Sequence, residues 1–252
     1  MASRSSSEPR LHFGTTCRPS SRRACAAPLL ELAERVQKDL GVAFDFSTPL
    51  GLDGRGHRIL GAYYFAPKLA IFIDLSLLAD YGARPRFRFT LAHELGHLSL
   101  HRKLTLDFES LDATAAAILD GRKDLRLGRR TLTTSRDWLE WQANYFAGSL
   151  LMPRSTLVPE LKRQQTALEI RRPGRIYVDD QRDNKHAYKN VVDLLCATYQ
   201  TSRTSTRIRL EQLGLVEDRR TTVDLPRVGG PVAMTSILAD LVSKWLSDAE
   251  ET

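Results

Sequence analysis

The stretch Phe89-Thr-Leu-Ala-His93-Glu94-Leu-Gly-His97 determines how the rest of the chain is interpreted. It follows Pro85, and proline suits the first turn of a helix because its fixed φ is already helical. The apolar residues around it recur every three or four positions, at Phe87, Leu91, Leu95 and Leu98. This spacing predicts a helix with one buried face.

Two histidines of this helix are four residues apart. His93 and His97 therefore project from one face, where together they can bind one divalent cation. Zinc is the usual metal in such a site. Glu94 lies beside His93, and the pattern His-Glu-x-x-His is typical of zinc hydrolases whose glutamate is the general base. The alternative is an amphipathic helix with ordinary polar histidines.

The third metal ligand has to come from elsewhere in the chain. His101 continues the four-residue spacing, but at about 1.5 Å per residue it lies about 12 Å along the helix from His93. One ion with bonds of about 2.0–2.1 Å cannot span that distance. Ser99-Leu100 contains no glycine that would break the helix after His97. We therefore expect His101 to support the site from behind the ligands, or to interact with the C-terminal end of the helix.

A second predicted helix supplies a better candidate for the third ligand. It begins near Ser135 and ends before Pro153, and its Glu140 and Asn144 share a face with the small Ala143. Glu140 would offer zinc a carboxylate oxygen, and Asn144 would accept the free ring N–H of a ligand histidine and so fix its tautomer. Three rival acids lie in the preceding connection without periodic placement: Asp107, Glu109 and Asp112. We favour Glu140.

The overall composition is that of a globular, basic protein. Hydrophobic residues make up 42% of the 252 residues, and the net charge is +7. No apolar run approaches the ~20 residues that span a bilayer, so no membrane partner is expected. The cysteines are odd in number and widely spaced, which favours a reducing cytoplasm over a disulfide framework. Residues 1–26 are rich in Ser and Arg, and we interpret them as a disordered tail.

The segment before the metal helix predicts a helix and a small sheet. Apolar spacing from Leu29 to Leu40 indicates the helix. Alternating residues predict strands at Val42–Phe46, Ile59–Phe65 and Leu69–Ile73, of which the last two form a hairpin. An edge of this hairpin could pair with an extended peptide.

The pattern loosens after Pro153. We expect residues 154–188 to be irregular, apart from a short strand at Arg175–Val178. Met234–Leu246 predicts a last amphipathic helix.

Residues 190–216 predict a pair of helices of the helix-turn-helix type. The second helix, Thr206–Leu213, and the turn before it offer three arginines that could contact phosphates: Arg203, Arg207 and Arg209. The alternative, which we favour, is a helical hairpin packed on the rest of the protein, because nearby acids dilute the positive charge.

Two paired motifs make the chain similar to the ImmA/IrrE metallopeptidases. They are Arg86-Phe-Arg-Phe-Thr-Leu-Ala-His-Glu-Leu-Gly-His and Glu140-Trp-Gln-Ala-Asn-Tyr-Phe-Ala-Gly-Ser-Leu-Leu-Met-Pro. The resemblance is close over residues 85–153 and looser over 28–84 and 190–216. One departure is a long insert at residues 102–134, with a basic run at 122–130, which either covers the cleft or carries substrate contacts.

The resemblance implies a thermolysin-like core and a site that agrees with the helical geometry. His93, His97 and Glu140 would bind zinc, Glu94 would be the catalytic base, and Asn144 stands where relatives have Asn or Asp. The implied substrate is a regulatory protein, in particular a helix-turn-helix repressor.

We therefore expect an α+β fold, with a small antiparallel sheet packed on a two-helix zinc-peptidase core and a helical C-terminal part. The expected units are a tail of residues 1–26, a metallopeptidase domain of residues 27–153, and a C-terminal region of residues 154–252 that contains the helix-turn-helix-like pair.

The expected function is that of a cytoplasmic zinc-dependent endopeptidase that cleaves a repressor-type protein and so controls transcription indirectly. The alternative is a DNA-binding regulator with a structural or silent zinc site. Four protein ligands would favour the regulator, whereas an open fourth position favours hydrolysis. Any nucleic-acid binding is expected to be weak. His101 and His186 are candidates for stabilising the oxyanion, and no motif chooses between them.

Overall fold

The computed structural model describes residues 24–53, 56–64, 68–102, 117–121 and 135–220, and within them the fold is α+β, as predicted. The helices are α1 (Leu29–Leu40), α2 (Ser76–Ala79), α3 (Arg84–His101), α4 (Ser135–Leu151), α5 (Arg154–Ala167), α6 (Arg182–Tyr199) and α7 (Arg203–Gln212). The strands are β1 (Ala43–Asp45), β2 (Ile59–Tyr64), β3 (Ala70–Ile73), β4 (Ala117–Gly121), β5 (Ile176–Val178) and β6 (Val216–Asp218).

Helix α3 carries the first motif and runs through the centre of the described structure. It begins at Arg84 with Pro85 in its first turn, as the sequence predicts. The apolar residues of the predicted face are buried, and so are the motif residues His93, Glu94 and His97. The helix is thus enclosed on more than the one predicted face, because β2 and β3 contact it on one side and α4 on another.

The main sheet has the strand order β1-β3-β2-β4. The predicted hairpin is present, since β2 and β3 pair antiparallel with Ala62 opposite Phe72. The sheet is nevertheless mixed and not purely antiparallel, because β1 runs parallel to β3 with Phe44 opposite Ile71. The reason is topological. After β1 the chain forms β2 two positions away in the sheet, and β3 then fills the gap between them.

The outer edge of β2 is not open to a peptide, contrary to the expectation for this hairpin. Strand β4, which belongs to the insert, pairs antiparallel with β2, placing Leu119 opposite Ala62 and Gly121 opposite Ile59. The chain therefore occupies this edge of the hairpin itself, and β1 and β4 are the outer strands of the sheet.

Helices α3 and α4 pack closely because small residues meet where they cross. A Cβ added at Gly96 would lie 3.2 Å from both Cα and O of Ala143 and 3.1 Å from Cδ1 of Phe146. Glycine on one helix and alanine on the other therefore set the distance between the two backbones.

Gly96→Ala is expected to lower the free energy of unfolding by about 1–2 kcal/mol. The new methyl group would press on the backbone of α4, and this cost exceeds the gain of up to about 1 kcal/mol that alanine brings to a helix interior. Denaturant unfolding measures the effect. The matched control is Gly148→Ala, because a Cβ there meets nothing closer than 3.8 Å. Equal stability of the two variants would contradict the close packing.

The C-terminal part contains more regular structure than the sequence indicated. The prediction that residues 154–188 are irregular is wrong, because α5 and the first two turns of α6 lie there. Pro159 lies inside α5 and does not end it, and the neighbouring Leu157 and Leu161 are buried in the core. The predicted short strand is present as β5, and it pairs in parallel with β6.

One hydrophobic cluster extends from α1 to β6, so α5, α6 and α7 pack on the same core as the sheet and α3. None of the helices in the described ranges is long and apolar enough to cross a membrane. Several sequence predictions fall outside the described residues: nearly all of the tail of residues 1–26, the basic run 122–130, the rival acids Asp107, Glu109 and Asp112, and the helix Met234–Leu246. The proposed boundaries between the three units stay predictions.

Candidate metal and catalytic site

The two histidines of the motif converge on one point beside α3. Nε2 of His93 lies 2.9 Å from Nε2 of His97, and the side chains are 1% and 0% exposed. Their spacing of four residues produces this arrangement, because such residues lie one above the other on a helix face. The ring nitrogens that face each other are the atoms that a shared metal ion would need.

Glu140 completes the group from α4. Its Oε2 lies 3.3 Å from Nε2 of His93, and its Oε1 lies 3.8 Å from Nε2 of His97. The three residues form the one group of potential metal ligands found in the described part of the chain, with donor atoms within 4.8 Å of one another. Two imidazoles and a carboxylate are a donor set that suits zinc and leaves a fourth position open.

Asn144 contacts His93, one of the two histidines that the sequence predicts as metal ligands. The Nδ1 of His93 lies 3.0 Å from Oδ1 of Asn144, and an amide oxygen can only accept a hydrogen bond. The proton of the neutral ring therefore belongs on Nδ1, which leaves the lone pair of Nε2 directed at the candidate metal position. Asn144 reaches this position because it lies one turn after Glu140 on α4.

His101 lies behind His97 and outside the group of potential ligands. Its Nδ1 is 2.9 Å from Nδ1 of His97, and its Nε2 is 2.9 Å from Oε1 of Gln142. Burial lowers the pKa of His101, and the hydrogen bond to Gln142 partly opposes this shift. Both ring nitrogens are engaged within the protein, which does not favour His101 as the group that stabilises an oxyanion. The other candidate, His186, is exposed on α6.

Gln142 was missed in the sequence reasoning. It lies two residues after Glu140, about 200° around the helix, so the face shared by Glu140 and Asn144 did not include it. The available signal was weak, since Gln142 is one polar residue between the apolar Trp141 and Ala143.

Glu94 is fully buried against strand β2. A Cβ added at Gly61 of β2 would lie 2.5 Å from Oε1 of Glu94 and 2.6 Å from Cγ2 of Thr90. The absence of a side chain at Gly61 therefore makes room for the carboxylate of Glu94, the residue that follows the candidate ligand His93. Gly61 is the second residue that the sequence reasoning missed, although glycine inside a strand often marks such a close approach.

Gly61→Ala is expected to reduce any hydrolytic activity of this site by about 100-fold, because the methyl group would push the Glu94 carboxylate out of place. Zinc content should be unchanged, since the atoms nearest to the new methyl group belong to Glu94 and Thr90 and not to the three candidate ligands. Adding Thr90→Ser to this variant removes the Cγ2 contact and should recover stability without recovering activity. Full activity of Gly61→Ala would contradict the assigned position of Glu94.

The comparison with protein families agrees with the resemblance to the ImmA/IrrE metallopeptidases. Residues 77–177 match the family model Peptidase_M78, described as the IrrE N-terminal-like domain. The matched range contains α3, α4 and all four residues of the candidate site, and it extends beyond the close resemblance seen over residues 85–153. Among curated proteins, none matches the chain.

Proposed function

We propose that this chain, whose residues 77–177 match the family model Peptidase_M78, is a zinc-dependent endopeptidase of the cytoplasm. Its proposed substrate is a regulatory protein of the repressor type, so that cleavage would control transcription indirectly. The observation that carries the proposal is the convergence of His93, His97 and Glu140, together with the burial of Glu94, which follows His93 in the chain.

The ligand residues and Glu94 would have different roles in hydrolysis. Zinc, when bound, would polarise the scissile carbonyl and make water more acidic. His93, His97 and Glu140 would hold the ion through Nε2, Nε2 and a carboxylate oxygen. Glu94 would take a proton from the attacking water and deliver it to the nitrogen of the leaving amine.

The number of potential ligands supports hydrolysis over a structural zinc site. Structural zinc sites in proteins are closed by four protein ligands, whereas catalytic sites have three. In the described ranges the group consists of three residues. A catalytic site needs this open fourth position for the water and the substrate carbonyl.

The three arginines of the helix-turn-helix-like pair are largely occupied within the protein. Arg203 forms an ion pair with Asp193. Nε of Arg207 lies 3.6 Å from Oε1 of Glu211. Arg209 was expected to be a candidate for phosphate contact, but it is buried, with its guanidinium 3.2 Å from the carbonyl oxygen of Met152. These contacts favour the helical hairpin packed on the protease core over the DNA-binding regulator.

Arg209 instead supports the helix that carries Glu140. Its guanidinium lies 5.4 Å from the ring centroid of Tyr145 on α4, and it donates to a carbonyl just after the last turn of that helix. A cation at a helix C-terminus is favourable because the last carbonyls point towards it. Through Arg209, helix α7 thus contacts the helix that carries Glu140.

A DNA footprint at physiological salt, run beside a cleavage assay, separates the two functions. Arg203→Ala combined with Arg207→Ala should leave cleavage of a cognate repressor nearly unchanged, and Arg209 is left intact because it is buried. Any DNA binding should be weak, insensitive to sequence and strongly reduced by salt. A discrete protected operator that the double variant loses, without proteolysis, would establish the regulator instead.

A further inference from the structure

A line of hydrogen-bonding side chains leads from α4 to the metal-facing nitrogen of His97. Oε1 of Gln142 lies 2.9 Å from Nε2 of His101, and Nδ1 of His101 lies 2.9 Å from Nδ1 of His97. Nε2 of His97 then faces Nε2 of His93 at 2.9 Å. His97 and His101 are 0% and 1% exposed, so bulk water does not compete for these contacts.

The protons along this line follow from donor and acceptor rules. The amide oxygen of Gln142 only accepts, so the proton of His101 lies on Nε2. Nδ1 of the neutral His101 ring then carries a lone pair and accepts from Nδ1–H of His97. The remaining nitrogen of His97, Nε2, is left unprotonated on the side of Glu140.

We propose that Gln142 is a positioning residue that acts through His101 to hold His97 in the tautomer and ring orientation that metal binding requires. If the proton of His101 were on Nδ1, His97 would have to accept at its own Nδ1 and carry its proton on Nε2. A protonated Nε2 cannot bind a metal ion. The orientation of one amide group on α4 therefore controls whether His97 is a ligand.

The two candidate ligand histidines are supported in different ways. His93 has a direct partner in Asn144, at 3.0 Å. His97 contacts His101, one helical turn on, and His101 in turn contacts the amide of Gln142. The third histidine of the four-residue series is thus placed to orient a ligand, although it is too far along the helix to be one.

Three variants test the proposal by zinc affinity, measured through competition with a chelator. Gln142→Leu removes the acceptor and should weaken zinc binding by about 10–100-fold. Gln142→Glu keeps an acceptor at this position and should bind zinc nearly as tightly as the unaltered protein. The control is Gln165→Leu, which removes a buried amide whose Oε1 accepts the N–H of Gly174 in the C-terminal part. It should lower the melting temperature without changing zinc affinity.

A second measurement needs no variant. Long-range ¹H–¹⁵N spectra of the zinc-loaded protein should show His101 protonated on Nε2 and His97 protonated on Nδ1. A His101 protonated on Nδ1, or Gln142→Leu with unchanged zinc affinity, would overturn the proposal.

The proposal rests on the metal site of the proposed function but not on proteolysis, so the two can fail separately. An unaltered protein that binds no zinc would remove both. A zinc affinity that is unchanged in Gln142→Leu would remove the role of Gln142 alone.

Discussion

Replacing Glu94 with glutamine is expected to reduce peptide-bond cleavage by about 10²–10⁴-fold while zinc stays bound. Glutamine has nearly the same shape, so it fits the space that Gly61 leaves beside β2. It cannot accept a proton from water, and the step that Glu94 performs is lost. Glu94 is outside the group of potential ligands, which is why metal content should not change. Cleavage rates and elemental analysis on the same preparation measure both effects.

Glu160→Gln is the matched control for this substitution. Glu160 is also a buried glutamate, but it lies on α5 and accepts hydrogen bonds from Arg163 and Gln164. Its replacement should cost stability and leave cleavage nearly unchanged. If Glu94→Gln retains cleavage comparable to Glu160→Gln, the assignment of the general base is wrong.

Replacing Glu140 with alanine is expected to weaken zinc binding by about 10²–10³-fold. Structural zinc sites bind with about 10–16 kcal/mol over four ligands, which is about 2.5–4 kcal/mol for each ligand. The two histidines alone would form a weak site, although their own geometry is fixed by Asn144 and His101. Chelator competition measures the affinity, and activity should fall with zinc occupancy.

Asp137→Ala tests whether this loss is specific. Asp137 lies in the first turn of α4, one turn before Glu140, and is outside the group of potential ligands. Removing this carboxylate should lower the free energy of unfolding by about 0.3–1 kcal/mol, as for other acids near a helix N-terminus. Zinc should remain bound. Full zinc occupancy in Glu140→Ala would show that the third ligand is another residue.

Local helical geometry is the reason that the sequence predicted much of the site. His93 and His97 are four residues apart on one helix, and so are Glu140 and Asn144 on the next, so each pair shares a face whatever the rest of the fold does. The contacts of all four residues in the structure agree with these positions. The distance between the two helices depends on Gly96 and Ala143, of which the sequence reasoning used only Ala143.

Features that depend on distant parts of the chain were harder to predict. Gly61 leaves space for Glu94 because β2 lies against that side chain, and this contact is not visible in the sequence. In the same way, the contact between the amide of Gln142 and His101 joins two different helices. Arg209 lies in a polar-looking segment, yet tertiary packing buries it against α4. The helix α5 forms despite Pro159 because its buried leucines join the core, which outweighs a local signal.

The most direct test of the proposed function is cleavage of a repressor encoded next to this protein. The purified repressor would be incubated with zinc-loaded protein, with the Glu94→Gln variant, and with protein treated with a chelator, and new chain ends would be identified by mass spectrometry. We predict cleavage at a discrete internal peptide bond by the zinc-loaded protein alone. An intact repressor in the presence of fully zinc-loaded protein, or equal cleavage in all three samples, would contradict the account.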